Sequence, residues 1–167
     1  MKKILRLLAI LVAVVLVAIQ FDALADRLPV IQKHKHLDRP ADLVVDAKFA
    51  LETVAAAPED VKKLLAVACA DCHSAKTEWP WYSYVAPMKW FVIEHVVAGR
   101  KKAMFAKFGE ESSEDQAHVL EECVEVVEEK SMPLESYTWL HGDAKLSDAD
   151  RKKLLDWFKA EAAKRKG

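Results

Sequence analysis

Two cysteines and a histidine lie at the spacing of a specific covalent chemistry. Cys69-Ala70-Asp71-Cys72-His73 reads C-x-x-C-H, the signature of c-type haem attachment. In this motif each thiol adds to one vinyl group of the porphyrin, and the imidazole of the next residue lies under the iron. We therefore predict one covalent haem c held by Cys69, Cys72 and His73.

The two cysteines have three other interpretations: a disulfide, a redox dithiol or half of a zinc site. Zinc needs further ligands, and Cys123 has no cysteine or histidine companion at zinc-site spacing. A dithiol oxidoreductase is expected beside a βαβ pattern, which the sequence lacks. We expect Cys123 to be a buried, inert thiol, because buried free cysteine behaves as a small hydrophobe.

Iron bound by His73 has a sixth coordination position, for which Met132 is the leading candidate. Met132-Pro133 follows the end of a predicted helix, where a loop residue can turn its thioether inward. A methionine ligand raises the reduction potential and suits electron transfer. His95, on a helix rich in apolar residues, is the main rival, whereas His118 and His141 are expected at the surface.

These residues must be positioned by helices. Only 4 of the 167 residues are Gly, whereas Ala, Leu, Lys and Glu are plentiful, which favours an all-α fold over a sandwich of short strands. Apolar spacing and capping residues predict four helices, with a further lead-in candidate over residues 43–56. The four run from Pro58 to Cys69, from Met88 to a Gly99 cap, from a Ser113–Gln116 capping box to Lys130, and from Ser147 to the end of the chain.

An aromatic loop, residues 79–87, separates the first two of these helices. Four aromatic side chains and two prolines in nine residues exclude a regular helix there. Such a loop covers a flat apolar ligand, forms an exposed contact patch or caps an ordinary core. Because the cysteine motif is close by, we predict that Trp81 and Tyr82 contact the cofactor.

The N-terminus predicts export. Lys2, Lys3 and Arg6 precede an apolar run over residues 7–19, as in a secretory signal. Ala23-Leu24-Ala25 has the form of a cleavage site; alternatively, residues 4–21, about 27 Å of helix, stay as a membrane anchor. We favour the anchor, because the run exceeds the usual signal core. The protein is then on the periplasmic side of the bacterial inner membrane, or soluble in the periplasm if cleaved after Ala25.

Three segments are therefore predicted: a signal or anchor over residues 1–25, a linker and lead-in over 26–57, and a haem domain over 58–167. His34 and His36, in the linker, are assigned to a solvated basic tether rather than a metal site. With 25 Lys+Arg against 26 Asp+Glu, there is no electrostatic argument for nucleic acid. Since residues 1–25 carry a net +2, the rest carries −3 of the total −1, which favours a basic partner surface.

The chain resembles the small exported haem-binding-domain proteins of bacteria, related in pattern to single-haem class I cytochromes c. The matching elements are Cys69 to Ser74, Thr77, Pro80 to Ser83, Ala86-Pro87, Trp90, His95-Val96, Gly99-Arg100, Met132-Pro133, Tyr137, His141, Ala144 and Leu146. The resemblance implies a cytochrome c-like helical fold around covalent haem c, a membrane tether in many members and no defined reaction. It also implies that Arg100 and His95 hydrogen-bond the haem propionates or a backbone turn. Ala75 and residues 103–106 depart from the family pattern.

Our reading is an exported electron carrier, either membrane-tethered or a subunit of a respiratory or photosynthetic complex, with redox proteins as partners. The sequence shows no acid–base constellation near the motif, and Asp71 is expected to be solvent-exposed. A haem peroxidase or gas-binding protein with a labile sixth ligand is the first alternative. A structural haem subunit is the second.

Overall fold

The computed structural model describes residues 2–25 and 38–166. These residues form helices joined by turns, with no strand among them, which confirms the all-α prediction. The α-helices are α1 (Lys2–Ala25), α2 (Leu51–Val54), α3 (Glu59–Ala68), α4 (Ala70–His73), α5 (Met88–Lys102), α6 (Ser113–Glu128), α7 (Glu135–Thr138) and α8 (Asp148–Arg165). Short 3-10 helices lie at Ala47–Phe49, Trp81–Tyr84, Phe105–Glu110 and Gly142–Ala144.

The chain divides into two compact units. One consists of residues 1–39 and 80–94, and the other of residues 40–79 and 95–167. The second unit holds the C-x-x-C-H motif and Met132. The predicted boundary between residues 57 and 58 stays a prediction.

The core of this second unit forms between α6 and α8, which pack along their lengths. Apolar residues recur every three or four positions on each helix, so one face of each is buried. Leu120, Leu154 and Phe158 are at most 1% exposed, and each such side chain contributes about 1.5–3 kcal/mol on burial. Phe108 and Val61 complete the cluster from neighbouring elements.

The two best-marked helix starts differ in how well the sequence predicts them. At α8 the predicted cap is confirmed: the Ser147 hydroxyl accepts from the Asp150 amide at 3.1 Å. At α6 the predicted capping box at Ser113 is wrong by one residue, because Ser112 is the cap and accepts from the Asp115 amide at 3.1 Å. Both serines offer the same hydroxyl, so only backbone geometry distinguishes them.

The predicted cap at Gly99 is wrong, since α5 continues through it to Lys102. A Cβ atom at this position would lie 2.8 Å from the Cys72 carbonyl oxygen and 3.0 Å from the Cys72 Cβ. Glycine is therefore required here by the close approach of α5 to the motif and not by a helix end.

The N-terminal predictions fall partly outside the described residues. Residues 26–37 of the predicted linker, with His34 and His36, lie outside the described residues. The predicted anchor falls on α1, whose Leu11 and Val17 side chains are exposed. In the described part of the chain, no helix has the length and apolarity needed to cross a membrane. The lead-in is not one helix but the 3-10 turn Ala47–Phe49 followed by α2.

Candidate functional site

The C-x-x-C-H motif forms one tight turn, residues 69–73, which we call the motif turn. Helix α3 ends at Ala68, Cys69 departs from helical geometry, and the amides of Cys72 and His73 then donate to the Cys69 carbonyl at 3.2 and 3.0 Å. Both cysteines are free and half-buried. Burial raises the pKa of the Cys69 thiol to about 12 and that of Cys72 to about 11, so both thiols are neutral near pH 7.

The His73 ring is oriented by its neighbours. Its Nδ1 lies 2.9 Å from the Ala103 carbonyl oxygen, and because a carbonyl only accepts, Nδ1 carries the proton and Nε2 keeps a lone pair. The ring stacks on Phe105 with centroids 5.1 Å apart. Burial, although opposed by hydrogen bonding to the Ala103 and Gly99 backbone, lowers the His73 pKa. The ring is therefore neutral, as a metal ligand must be.

Two adjoining cavities, of about 160 and 380 Å³, open beside the motif turn. Their walls are mostly apolar. Both are lined by Ala68, Cys69, His73, Lys102 and Met132. The smaller also has Asp71, Cys72, His95, Ala98, Gly99, Pro133, Leu134 and Tyr137, whereas the larger has side chains of α6 together with Ala103, Phe105 and Phe158. The structure thus brings the predicted ligands His73 and Met132 to one cleft.

Met132 is held in its loop by contacts that sequence reasoning missed. Its amide donates to the Val126 carbonyl at 3.0 Å. Arg151, on α8, donates to the carbonyls of Val127 at 2.6 Å and Met132 at 3.2 Å. An arginine near the start of an amphipathic helix looks like a solvated charge in the sequence, so no local signal marks it. The rival ligand, His95, lines only the smaller of the two cavities, whereas Met132 lines both.

Arg100 binds the segments around the motif turn. Its guanidinium donates to the carbonyls of Ala41 and Ala75 at 2.9 and 3.1 Å and to the Thr77 hydroxyl at 3.1 Å. The Thr77 hydroxyl in turn donates to the Asp71 carbonyl at 2.7 Å. Of the two roles that the resemblance implies, these contacts favour the backbone turn. The buried Nε of Arg100 has no hydrogen-bond partner among the described residues.

Two expectations for polar residues are wrong. Asp71 is half-buried rather than exposed, and its carboxylate accepts from the Tyr137 hydroxyl at 2.8 Å. His141 is half-buried and stacks on the Tyr137 ring. By contrast, His118 is exposed beside Glu122, and Cys123 is buried in the core, as predicted. Tyr137 belongs to the family pattern, but no local spacing predicts its contact with Asp71, which is 66 positions away.

Trp81 and Tyr82 lie in the other compact unit, on the 3-10 helix Trp81–Tyr84. Trp81 is 78% exposed and meets Tyr82 edge-on. In the same unit Arg39 donates to the Ser83 carbonyl and lies over the Tyr84 ring. Contact of Trp81 and Tyr82 with a cofactor stays a prediction.

The residues of this cleft fit a covalently attached haem. One turn supplies two thiols and an imidazole with a free Nε2, and a thioether lines the same cleft. Within residues 2–25 and 38–166, no cluster of three His, Cys, Asp or Glu side chains could hold a bare metal ion. The zinc interpretation of Cys69 and Cys72 therefore gains no support from the structure.

The family model described as "Haem-binding domain" matches residues 15–160, which is most of the chain. No curated protein and no solved structure matches it.

Proposed function

This chain belongs to the haem-binding domain family, and from that premise we propose that it is an exported c-type cytochrome that transfers electrons through a single covalent haem. One observation carries the proposal: His73 and Met132 line the same two cavities beside Cys69. An imidazole and a thioether as the two axial ligands are typical of electron-transfer cytochromes.

Each side chain then has a definite role. Cys69 and Cys72 would hold the porphyrin by thioether bonds, and His73, through Nε2, and Met132 would hold the iron. When bound, the haem supplies an iron that alternates between the ferric and ferrous states. The Ala103 carbonyl keeps the His73 ring in one tautomer and orientation. Arg100 keeps the backbone next to the motif turn in place.

The chain also favours electron transfer over substrate chemistry. The mostly apolar walls of the cleft would disfavour the more highly charged ferric iron, and a thioether ligand would favour the ferrous state, so both would raise the reduction potential. A protein side chain at the sixth position leaves no free site for peroxide or a gas. This distinguishes the proposal from the peroxidase and gas-binding alternatives.

The proposed location is the periplasmic side of the inner membrane. It rests on the basic and apolar N-terminus, and a cleaved or a retained segment would equally leave residues 43–167 outside the cytoplasm. The formal charge of −3 beyond residue 25 favours a redox partner with a basic surface. The protein would act either as a tethered carrier or as a subunit of a respiratory or photosynthetic complex.

Covalent attachment is the first test. The wild type, produced in a host that matures c-type cytochromes, should gain the mass of one haem under denaturing conditions. Replacing both Cys69 and Cys72 by alanine should leave little holoprotein. Cys123→Ala is the matched control and should keep its haem, because this thiol lines the larger cavity but lies outside the C-x-x-C-H motif. Complete extraction of haem from the wild type by acid acetone would overturn the proposal.

A further inference from the structure

We propose that the hydrogen bond between Tyr137 and Asp71 fixes the methionine loop, residues 129–134, against the motif turn. Tyr137 would thus be a positioning residue that determines how readily an external ligand displaces Met132 from the iron. This inference rests on the proposed function, because it assumes that Met132 is the sixth ligand.

The hydrogen bond joins the two sides of the cleft. Tyr137 lies on α7, three residues after the methionine loop, and its hydroxyl donates to the Asp71 Oδ2 at 2.8 Å. Asp71 lies on α4, between the two cysteines of the motif. Both residues line the smaller cavity together with Met132 and His73. An opening that separates the methionine loop from the motif turn therefore breaks this hydrogen bond.

The Tyr137 ring is fixed independently of its hydroxyl. It stacks on His141 with centroids 4.0 Å apart and planes 16° from parallel. The Nδ1 of His141 lies 3.1 Å from the Tyr137 carbonyl oxygen, so it donates to that oxygen. A variant that lacks only the hydroxyl keeps the ring packing and loses the bond to Asp71, together with the longer 3.4 Å contact to the Val67 carbonyl on α3. Tyr137→Phe is for this reason a clean test.

The opposite end of the methionine loop has its own restraint. Arg151, on α8, donates to the carbonyls of Val127 and Met132. Tyr137 is the described residue that joins the far end of the loop to the motif turn by a short hydrogen bond. Loss of this bond should free the far end alone, so the opening is local.

The size of the effect follows from the kind of bond. A hydrogen bond to a carboxylate is stronger than one between neutral groups, and its loss should favour the open loop by about tenfold. An external ligand that competes with Met132 gains the same factor, because it binds the open form only. Imidazole is a suitable probe, since it binds ferric haem and needs no partner protein.

The experiment compares holoprotein variants at matched haem content. We expect Tyr137→Phe to bind imidazole about tenfold more tightly than the wild type in the ferric state. Amide hydrogen exchange should speed up at residues 134–138, where the amides of Tyr137 and Thr138 donate to the Leu134 carbonyl at the far end of the loop, while α8 keeps its protection; this readout does not depend on redox activity. Tyr84→Phe, which removes a tyrosine hydroxyl in the other unit, should match the wild type in both measurements.

The partner residue gives a second test. Asp71→Ala should resemble Tyr137→Phe, whereas Asp71→Asn keeps an oxygen that accepts from the hydroxyl and should lie closer to the wild type. The double variant Tyr137→Phe with Asp71→Ala should add little to either single change. Independent, additive effects of the two substitutions would overturn the inference.

Failure of this inference can be told apart from failure of the proposed function. If the wild-type holoprotein lacks the weak far-red band of sulfur-ligated ferric iron, the proposed function fails before any variant is made. If the wild type has that band and Tyr137→Phe leaves imidazole affinity and exchange unchanged, only the positioning role fails. A core variant such as Val61→Ala, which is destabilised away from the cleft, should leave imidazole affinity unchanged.

Discussion

Single atoms decide which ligands the cleft can offer. The Ala103 carbonyl accepts a hydrogen bond from the Nδ1–H of His73, which leaves Nε2 with a free lone pair. On the other side the choice lies between Met132, which lines both cavities, and His95, which lines the smaller one. This difference between two side chains determines the predicted reduction potential.

Substituting Met132 and His95 one at a time tests which of them is the sixth ligand. Met132→Ala should abolish the far-red band of the ferric protein and lower the reduction potential by a sizeable part of the roughly 0.8 V that axial ligands span. His95→Ala should keep the band. Spectra and a redox titration check both, and loss of the band in His95→Ala alone would reverse the assignment.

Gly99 gives a prediction about stability at the same scale. Gly99→Ala should cost about 1–3 kcal/mol of unfolding free energy, because the new methyl group would meet the Cys72 carbonyl at 2.8 Å. The matched control is Gly142→Ala, where no atom lies within 4 Å of the added Cβ. Urea unfolding of both holoproteins measures the difference, and equal stabilities would contradict the close-approach argument.

At the scale of whole elements, α6 and α8 form the support to which the cleft is attached. The α6 residues Cys123 and Val127 are in the core, and the larger cavity is walled by the same helix. Helix α8 contributes Arg151, which holds the methionine loop. Substitutions that shorten or destabilise either helix should therefore change the shape of the cleft or the position of Met132.

The cap of α6 tests the register of that helix. Ser112→Ala should cost about 1 kcal/mol, because the hydroxyl that satisfies the Asp115 amide is lost. Ser113→Ala, one position inside the helix, should change stability by a few tenths of that amount. Thermal unfolding compares the two. A larger loss at Ser113 would restore the capping box expected from the sequence.

Helix α8 also carries a buried carboxylate whose charge contributes to stability. Burial acts to raise the Glu161 pKa, but hydrogen bonds from Lys164 and Arg165, at 2.5 and 2.8 Å, outweigh it and hold the pKa below its usual 4.5. The stabilisation is therefore full above about pH 4.5 and is lost as pH falls through the lowered value. The unfolding free energy of Glu161→Gln should therefore fall less between neutral pH and pH 3 than that of the wild type. Urea unfolding at a series of pH values measures both, and the same pH dependence in the two proteins would contradict this role of Glu161.

For the whole molecule, the sequence predicts those features that depend on residues close to one another in the chain. The C-x-x-C-H turn, the Ser147 cap and the helical class all follow from local spacing, and the structure has each of them. The contacts that assemble the cleft join distant segments, such as Tyr137 with Asp71 and Arg100 with Ala41. No periodicity encodes such contacts. The predicted helix cap at Gly99 is wrong for the same reason, because the residue that requires glycine there, Cys72, lies on another helix.

At the scale of the whole molecule, the central proposal is one covalent haem whose iron is held on both sides by side chains of this protein. The most direct measurement is the absorption spectrum of the purified wild type in both redox states, with carbon monoxide added to the reduced form. We predict a low-spin spectrum in both states, a weak far-red band when oxidised and poor binding of carbon monoxide. A high-spin oxidised spectrum with rapid carbon monoxide binding would contradict the account and favour a peroxidase or gas-binding protein.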